Sequence, residues 1–305
     1  MTPQAYCEQK LAQSGSSFAY SFRFLPAPRR HAITALYAFC REVDDVVDEV
    51  TDPAVARMKL AWWRKEIGAV FGGTPQHPVA LALTGVVASY ALPREHFDAI
   101  IDGMAMDLDQ NRYQDFVTLE RYCHRVAGVV GLLSAEIFGY EDPATRIYAR
   151  ELGIAFQLTN IIRDVGEDAQ RTRIYLPQDE LRRFGVRNAD ILDRNVTEGF
   201  RSLMAFQVER ARTYYLNAFS ALPKRDRRAQ RPGLMMAAVY RALLESGRVL
   251  TRRLPLRLKI ELNLIVAGGL RILHRIDAIG GDVFRHRPML TRRDWAVMSM
   301  AALRR

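Results

Sequence analysis

Two sets of side chains, far apart in the chain, each put a pair of aspartates four residues apart on one polar strip of a helix. Gln157, Asn160, Asp164 and Asp168 lie in the stretch QLTNIIRDVGED. At about 100° per residue they fall within an arc of roughly 80° on a helix. Leu158, Ile161, Ile162 and Val165 beside them are apolar. The stretch ITALYAFCREVDDVVDEV, residues 33–50, repeats the pattern. There Tyr37, Arg41, Asp44 and Asp48 fall within roughly 60°, among Leu36, Phe39, Val43, Val46 and Val47. A narrow acidic strip on an apolar helix is costly to bury unless a cation sits on it.

Either strip alone reads equally as a solvated acidic face with an internal Arg–Asp pair. The pair says more. Two carboxylates about 6 Å apart, at an effective dielectric near 20, repel by roughly 3 kcal/mol. Facing strips would stay wet, shift their pKa values upward or hold divalent ions. Mg²⁺ suits spaced single aspartates, because it keeps several waters and takes one or two carboxylates plus phosphate oxygens. Arg163, Arg171 and Arg173 follow closely. They form an ion-pair network with the acids or bind the remaining oxygens of a diphosphate. A metal-bound diphosphate is a good leaving group. Its loss from an allylic carbon leaves a cation that water destroys, so such a site needs dry apolar walls. No GxSxG and no GxGxxG after a strand is present, which argues against a serine hydrolase and a Rossmann nicotinamide site.

The elements that must hold these strips are helices. Ala, Leu, Arg and Glu are abundant, and no Val/Ile/Thr alternation runs long enough for a sheet. Breaks at Pro26/Pro28, Asp52-Pro53, Gly72 to Pro78, Pro93, Asp142-Pro143, Pro177, Pro223, Pro232 and Pro255 cut the chain into roughly ten helices. One all-α domain over residues 1–305 is the economical reading. Residues 188–222 read as one long amphipathic helix, and Pro232 opens another that carries Tyr240. In residues 116–140 the run VAGVVG is unusual, since each glycine costs a helix about 1 kcal/mol relative to Ala. Close helix packing or a smooth wall for a hydrocarbon would offset that. Asp98, Asp102 and Asp109 could make a third acidic face, but Asp107, Asp109 and Tyr113 also fit an ordinary helix end; Trp62 and Trp63 read as packing residues, and His124 as a helix-surface or structural residue.

The chain has 305 residues, 49% of them hydrophobic, and a net charge of +10. The core is therefore sizeable, and the positive charge permits an anionic partner: nucleic acid, membrane or small substrate. No RNP, zinc-finger or helix-turn-helix signature supports nucleic acid. The basic stretches at 223–231 and 248–259 read as a solvated face. The second, where Leu250, Leu254, Leu256 and Leu258 interleave with Arg and Lys, is also a candidate for peripheral membrane contact. No run is long enough to span a bilayer, and the polar start MTPQAYCEQKL lacks a signal-peptide core, so the cytoplasm is the expected location. Cys7, Cys40 and Cys123 lack metal-ligand spacing and are expected to be reduced thiols.

Taken together, Asp44-x-x-x-Asp48 with Tyr37 and Arg41, the Tyr122-Cys-x-x-Val-Ala-Gly core, and Asn160-x-x-Arg-Asp164-x-x-x-Asp168 followed by Arg173-Ile-Tyr-Leu-Pro resemble the squalene/phytoene synthases. The likeness runs from about Tyr6 to Tyr240. The wording SGSSFAYSFRFLP, ALYAFCREVDDVVDE and LAWWRKEI is most similar to the bacterial hopanoid-pathway branch, the presqualene diphosphate synthases. This resemblance implies an all-α isoprenoid-synthase bundle with a central cavity. It also implies head-to-head joining of two prenyl diphosphates, farnesyl diphosphate in that branch, through a cyclopropylcarbinyl diphosphate. By position, Asp44, Asp48, Asn160, Asp164 and Asp168 would bind Mg²⁺–diphosphate. Ser17, Arg41, Gln157, Arg163, Arg173 and Tyr240 would contact the diphosphates or lie beside them. Tyr37 and Tyr122 would border the reacting carbons, and Phe18, Val126, Ala127, Gly128 and Gly131 the prenyl chains. The tail departs from the branch pattern. About thirty residues precede GGLRILHRIDAIGGDVFRHRP, roughly an extra helix pair by rise per residue, an ending similar to a sister branch that hydrates or reduces the intermediate. The alternatives are a phytoene synthase acting on geranylgeranyl diphosphate, a squalene or hydroxysqualene synthase, and, in another class, a non-catalytic helical assembly factor, which degenerate acidic strips would favour.

Overall fold

Helix starts follow the local chemistry of the sequence. In the computed structural model, Thr2 accepts a hydrogen bond from Ala5 N–H at the head of α1 (Pro3–Gln13). Asp52 accepts from Ala54 N–H at the head of α4 (Pro53–Gly72). Asp115 accepts from Thr118 N–H at the head of α7 (Phe116–Cys123). Such oxygens satisfy N–H groups that a helix cannot pair within itself. The structure describes the backbone of residues 1–14, 18–23 and 25–241, and all of their side chains except those at 20 and 238–241. Ser17, the side chain of Tyr240 and the basic tail at 245–305 lie outside the described residues.

The remaining helices are α2 (Phe18–Phe22), α3 (Ala27–Glu49), α5 (Pro78–Ser89), α6 (Arg94–Asp109), α8 (Val129–Phe138), α9 (Ala144–Gln170), α10 (Gln178–Arg183), α11 (Asn188–Leu192), α12 (Glu198–Ala221) and α13 (Arg231–Arg241). The expected all-α class holds. Among the described residues the one β-type pairing is an isolated parallel bridge between Arg112 and Ile174. The single long helix expected over 188–222 is corrected: it divides into α11 and α12. Arg194 takes a positive φ of 56°, which ends the first piece. Thr197 then accepts from Phe200 N–H and starts the second.

α3 and α9 carry the two acidic strips. α3 packs on α1, α5, α6 and α8, while α9 packs on α12, on α8 and on the π-helical segment His124–Gly128 that joins α7 to α8. α8 is thus a shared neighbour. At one end, α2 reaches both helices. Phe18 meets Phe156 of α9 edge-on at 5.8 Å between ring centres, and Phe22 meets Tyr37 of α3 at 6.4 Å. At the other end, the chain after α9 runs beside the chain after α6. Ile174 N–H donates to the Asn111 carbonyl at 3.0 Å and Gln178 N–H to that of Tyr113 at 2.8 Å.

The glycine question resolves toward packing. A Cβ on Gly131 would sit 2.2 Å from the Ala149 carbonyl oxygen, and one on Gly153 would sit 2.3 Å from that of Ala127. The π-helical segment and α8 therefore lie against α9 almost backbone to backbone. Trp63 is buried, but Trp62 is 43% exposed, so only the former is a core residue. Cys7 and Cys123 are buried and Cys40 half-buried, all as free thiols. No helix among the described residues is long and apolar enough to cross a membrane.

Candidate active site

The periodicity of α3 buries Val43, Val46 and Val47 and leaves Tyr37, Cys40, Arg41, Asp44 and Asp48 half-exposed along one line. α9 does the same. Leu158, Ile161 and Val165 are buried, while Phe156, Gln157, Asn160, Asp164 and Asp168 are half-exposed. Each strip runs from an aromatic end, held by α2, to an acidic end.

The acidic ends are tied together by the segment after α9. Arg173 donates to Asp48 Oδ1 at 2.8 Å and to the Val47 carbonyl at 2.9 Å. Arg171 pairs with the other oxygen of Asp48 at 2.8 Å. Arg41 spans Asp44 and Asp45, both at 2.6 Å. Arg163 grips Asp164 with two hydrogen bonds, at 2.8 and 2.6 Å. The ion-pair network weighed from the sequence is therefore present, and it links Asp48 of α3 to the segment that follows α9.

It does not neutralise the site. Burial, followed by the charge of Asp48, pushes the Asp44 carboxyl up to about 6. Burial and neighbouring Asp164 push Asp168 up to about 8, with Asp107 and Asp48 adding to the rise. The carboxylates of α3, α6 and α9 thus act on one another, as facing strips must. Burial also raises Asp107 to about 6, against the lowering effect of Arg173. Arg173, ringed by these acids, is held more firmly protonated than an ordinary arginine.

Asp107 is the residue the sequence pattern passes over. It lies in the last turn of α6, reads as an ordinary helix end, and belongs to this cluster. Its Oδ2 accepts from the Tyr122 hydroxyl and its Oδ1 from the Tyr175 hydroxyl, both at 2.9 Å. Tyr122 and Tyr175 are buried and stack at 5.3 Å, and Tyr113 packs against both. The motif Arg173-Ile-Tyr-Leu-Pro was the available signal for Tyr175. None pointed to Asp107.

The remaining expected residues fall nearby. Val126 and Ala127 are half-exposed in the π-helical segment, a geometry often found at functional sites. Gly128 and Gly131 border α9, with the packing described above. A small cavity lined by Ile161, Val165, Asp168, Arg173 and Tyr175 opens beside the acidic end.

The donor set fits a hard divalent ion shared with a ligand. It consists of single carboxylates and an amide oxygen on two helices. Among the described residues no three His, Cys, Asp or Glu converge into a closed cage. Mg²⁺ completed by phosphate oxygens needs no such cage.

The squalene/phytoene synthase family model matches residues 11–246. The chain belongs to that family. The phytoene synthase of Arthrospira platensis is 38% identical over 252 residues, spanning 78% of this chain and 82% of that one. Among solved structures, the squalene synthase HpnC of Alicyclobacillus acidocaldarius superposes with a TM-score of 0.68 at 28% identity, covering 91% of this chain and 94% of that one. A dehydrosqualene synthase determined with a ligand gives a TM-score of 0.75 at 25% identity, covering 99% and 95%. As a squalene/phytoene synthase, the chain is a prenyltransferase that binds prenyl diphosphates, and enzymes of this family use a divalent metal, usually Mg²⁺.

Family membership gives the pKa shifts a consequence. A carboxyl raised in the folded state holds its proton more tightly than in the unfolded chain. The stability it lends is fully present below its ordinary value and is lost as pH rises through the folded value. Without metal, Asp44 and Asp107 lose stability as pH is raised through 6, opposed up to about 6.5 by His77, His96 and His124, whose pKa values burial lowers; above 6.5 the melting temperature should fall as pH rises through 8, for Asp168. Saturating Mg²⁺ with inorganic diphosphate should flatten that slope, because the bound cation favours the ionised carboxylates. Calorimetry across this range, with and without the pair, checks it. A metal-free melting temperature that rises with pH above 6.5 would contradict the assigned burial of charge.

Proposed function

We propose that this chain joins two farnesyl diphosphates head to head into presqualene diphosphate, releasing one diphosphate, as in squalene and hopanoid biosynthesis. The observation that carries the reading is the pair of half-exposed strips on α3 and α9, each with an acidic end and an aromatic end. One end has Asp44, Asp48, Asp164 and Asp168 with Arg41, Arg163, Arg171 and Arg173. The other has Phe18, Phe22, Tyr37 and Phe156. An amphiphile with a diphosphate head and an apolar chain matches both.

Asp44, Asp48, Asn160, Asp164 and Asp168 hold Mg²⁺, which when bound neutralises the diphosphate and makes it a better leaving group. Arg41, Gln157, Arg163 and Arg173, with Ser17 and Tyr240 by resemblance, orient the phosphate oxygens. In the reaction the C1–O bond of one substrate breaks and its electron pair leaves with diphosphate. The allylic carbon is captured by the double bond of the second substrate, and a proton is lost as the three-membered ring closes. Phe18, Tyr37, Tyr122, Val126 and Ala127 border the chains and keep water from the cation, while Gly128 and Gly131, placed beside the chains by resemblance, serve the close packing of this wall on α9.

Farnesyl diphosphate is preferred because the SGSSFAYSF and LAWWRKEI wording most resembles the hopanoid-pathway branch. A second reading, phytoene formation from geranylgeranyl diphosphate, draws support from the Arthrospira platensis relative. The complete acidic strips count against a non-catalytic assembly factor. Incubation with each labelled diphosphate and Mg²⁺, without reductant, decides among them. Presqualene diphosphate from the C15 substrate is the expected product. A C40 product from the C20 substrate would favour the second reading, and unreacted substrate in both would sink the enzymatic one. Squalene appearing only with reduced nicotinamide would place the chain one step further along the pathway.

A further inference from the structure

Asp107 differs from the other carboxylates of the cluster in what it touches. Asp44, Asp48 and Asp164 are each paired to guanidinium groups. Both oxygens of Asp107 are instead taken by phenols, Oδ2 by Tyr122 and Oδ1 by Tyr175. The two rings lie 5.3 Å apart with an interplanar angle of 25°, so the carboxylate bridges a stacked pair. The three residues come from α6, from α7 and from the segment after α9. The backbone pairing of Ile174 with Asn111 brings the last of these beside α6.

A phenol has one proton and two lone pairs. When that proton is committed to a carboxylate, the oxygen can only accept from, or present electron density to, whatever else approaches. We infer that Asp107 is a positioning residue that fixes the Tyr122 and Tyr175 hydroxyls with their protons turned away from the reacting carbons and their lone pairs available to them. The inference rests on the prenyl-diphosphate reading above and deepens it. In an acidic cleft that must hold an allylic cation, a fixed electron-rich oxygen stabilises developing charge without reorganising. A freely rotating hydroxyl would have to turn first. The arrangement also withholds an acidic O–H from the diphosphate, leaving the head group to the arginines and the metal. Tyr113 backs both rings, so rotation of the rings as a route to new hydroxyl partners is blocked by packing.

Asp107→Asn tests this without changing size. The amide keeps one acceptor oxygen and replaces the other with an N–H donor, so one phenol must turn its proton outward. Turnover with the wild type's own substrate should fall at least tenfold, with KM and the Mg²⁺ concentration for half-maximal rate unchanged. Asp107→Glu, which keeps both acceptors, should recover part of the loss. In a Tyr122→Phe/Tyr175→Phe background, Asp107→Asn should have little further effect, because the groups it acts through are gone. Wild-type turnover in Asp107→Asn would overturn the inference. So would an undiminished effect in the double-Phe background, or a shift in Mg²⁺ dependence, which would make Asp107 a metal ligand instead. The tyrosine Fermi doublet in ultraviolet resonance Raman distinguishes donating from accepting phenols and does not depend on turnover. Asp107→Asn should move it toward the accepting signature, and an unchanged doublet would also overturn the inference. If wild type itself proves inactive on every prenyl diphosphate, the functional reading fails, while the Raman result still reports whether Asp107 holds the two hydroxyls.

Discussion

Asp164→Asn is expected to lower turnover by roughly a hundredfold to a thousandfold, the range seen when one preorganised electrostatic contact to developing charge is removed. The substitution changes no volume and leaves α9 intact. It removes a unit of charge from the acidic end and the charge assistance of the two hydrogen bonds that Arg163 gives that carboxylate. Arg163 remains 32% exposed at its side chain and can be rehydrated, so the stability cost should stay within about 1 kcal/mol, as for other solvent-accessible pairs. Steady-state diphosphate release across a Mg²⁺ titration, beside a thermal melt, separates the two effects. Near-normal rates at limiting Mg²⁺ would refute a metal role for this carboxylate. A collapsed melt would instead move Asp164 from the chemistry to the scaffold.

The largest effect on stability is expected from Gly153→Ala. Its Cβ would lie 2.3 Å from the Ala127 carbonyl oxygen and 2.9 Å from the Gly128 Cα. Both are backbone atoms, so no side chain can swing aside. α9 must move from the π-helical segment, and overpacking of this kind costs about 3 kcal/mol or more. For a chain of this size that corresponds to roughly 5 °C or more in melting temperature. The same shift would displace Ala127 and the π-helical segment proposed to border the prenyl chains, so activity should fall along with stability. Gly85→Ala is the control. Nothing lies within 4 Å of its Cβ, and a helix-interior alanine there should add up to about 1 kcal/mol. If Gly153→Ala melts like the control, the close approach of the two segments is wrong.

These two positions show how differently parts of this protein could be read. Asp164 stands out in the sequence because helix periodicity sets which residues share a face. An acidic line among Ile and Val residues on α9 is visible without any knowledge of its neighbours. The strip on α3 is legible for the same reason, and so are the helix starts at Pro53 and Phe116, where the capping oxygen lies within three residues of the N–H it satisfies. The family likeness follows from these same short stretches.

What face meets what face was not local information. The run VAGVVG was compatible with close packing or a smooth wall until the Ala149 and Ala127 carbonyls were seen against Gly131 and Gly153. The split of residues 188–222 turns on one positive φ at Arg194, for which arginine carries no signal. Asp107 was hidden most completely. Its partners are 15 residues away on α7 and 68 residues away beyond α9. They reach it only because the chain after α9 pairs with the chain after α6. By itself the sequence determined an all-helical chain with two acidic strips and the family to which they belong. Only the tertiary structure decided that Arg173, beyond α9, reaches Asp48 of α3 and that a carboxylate from a third helix, bound by phenols, joins the cluster. A helix's face depends on its own residues, but its neighbour depends on every connection that folds the chain back.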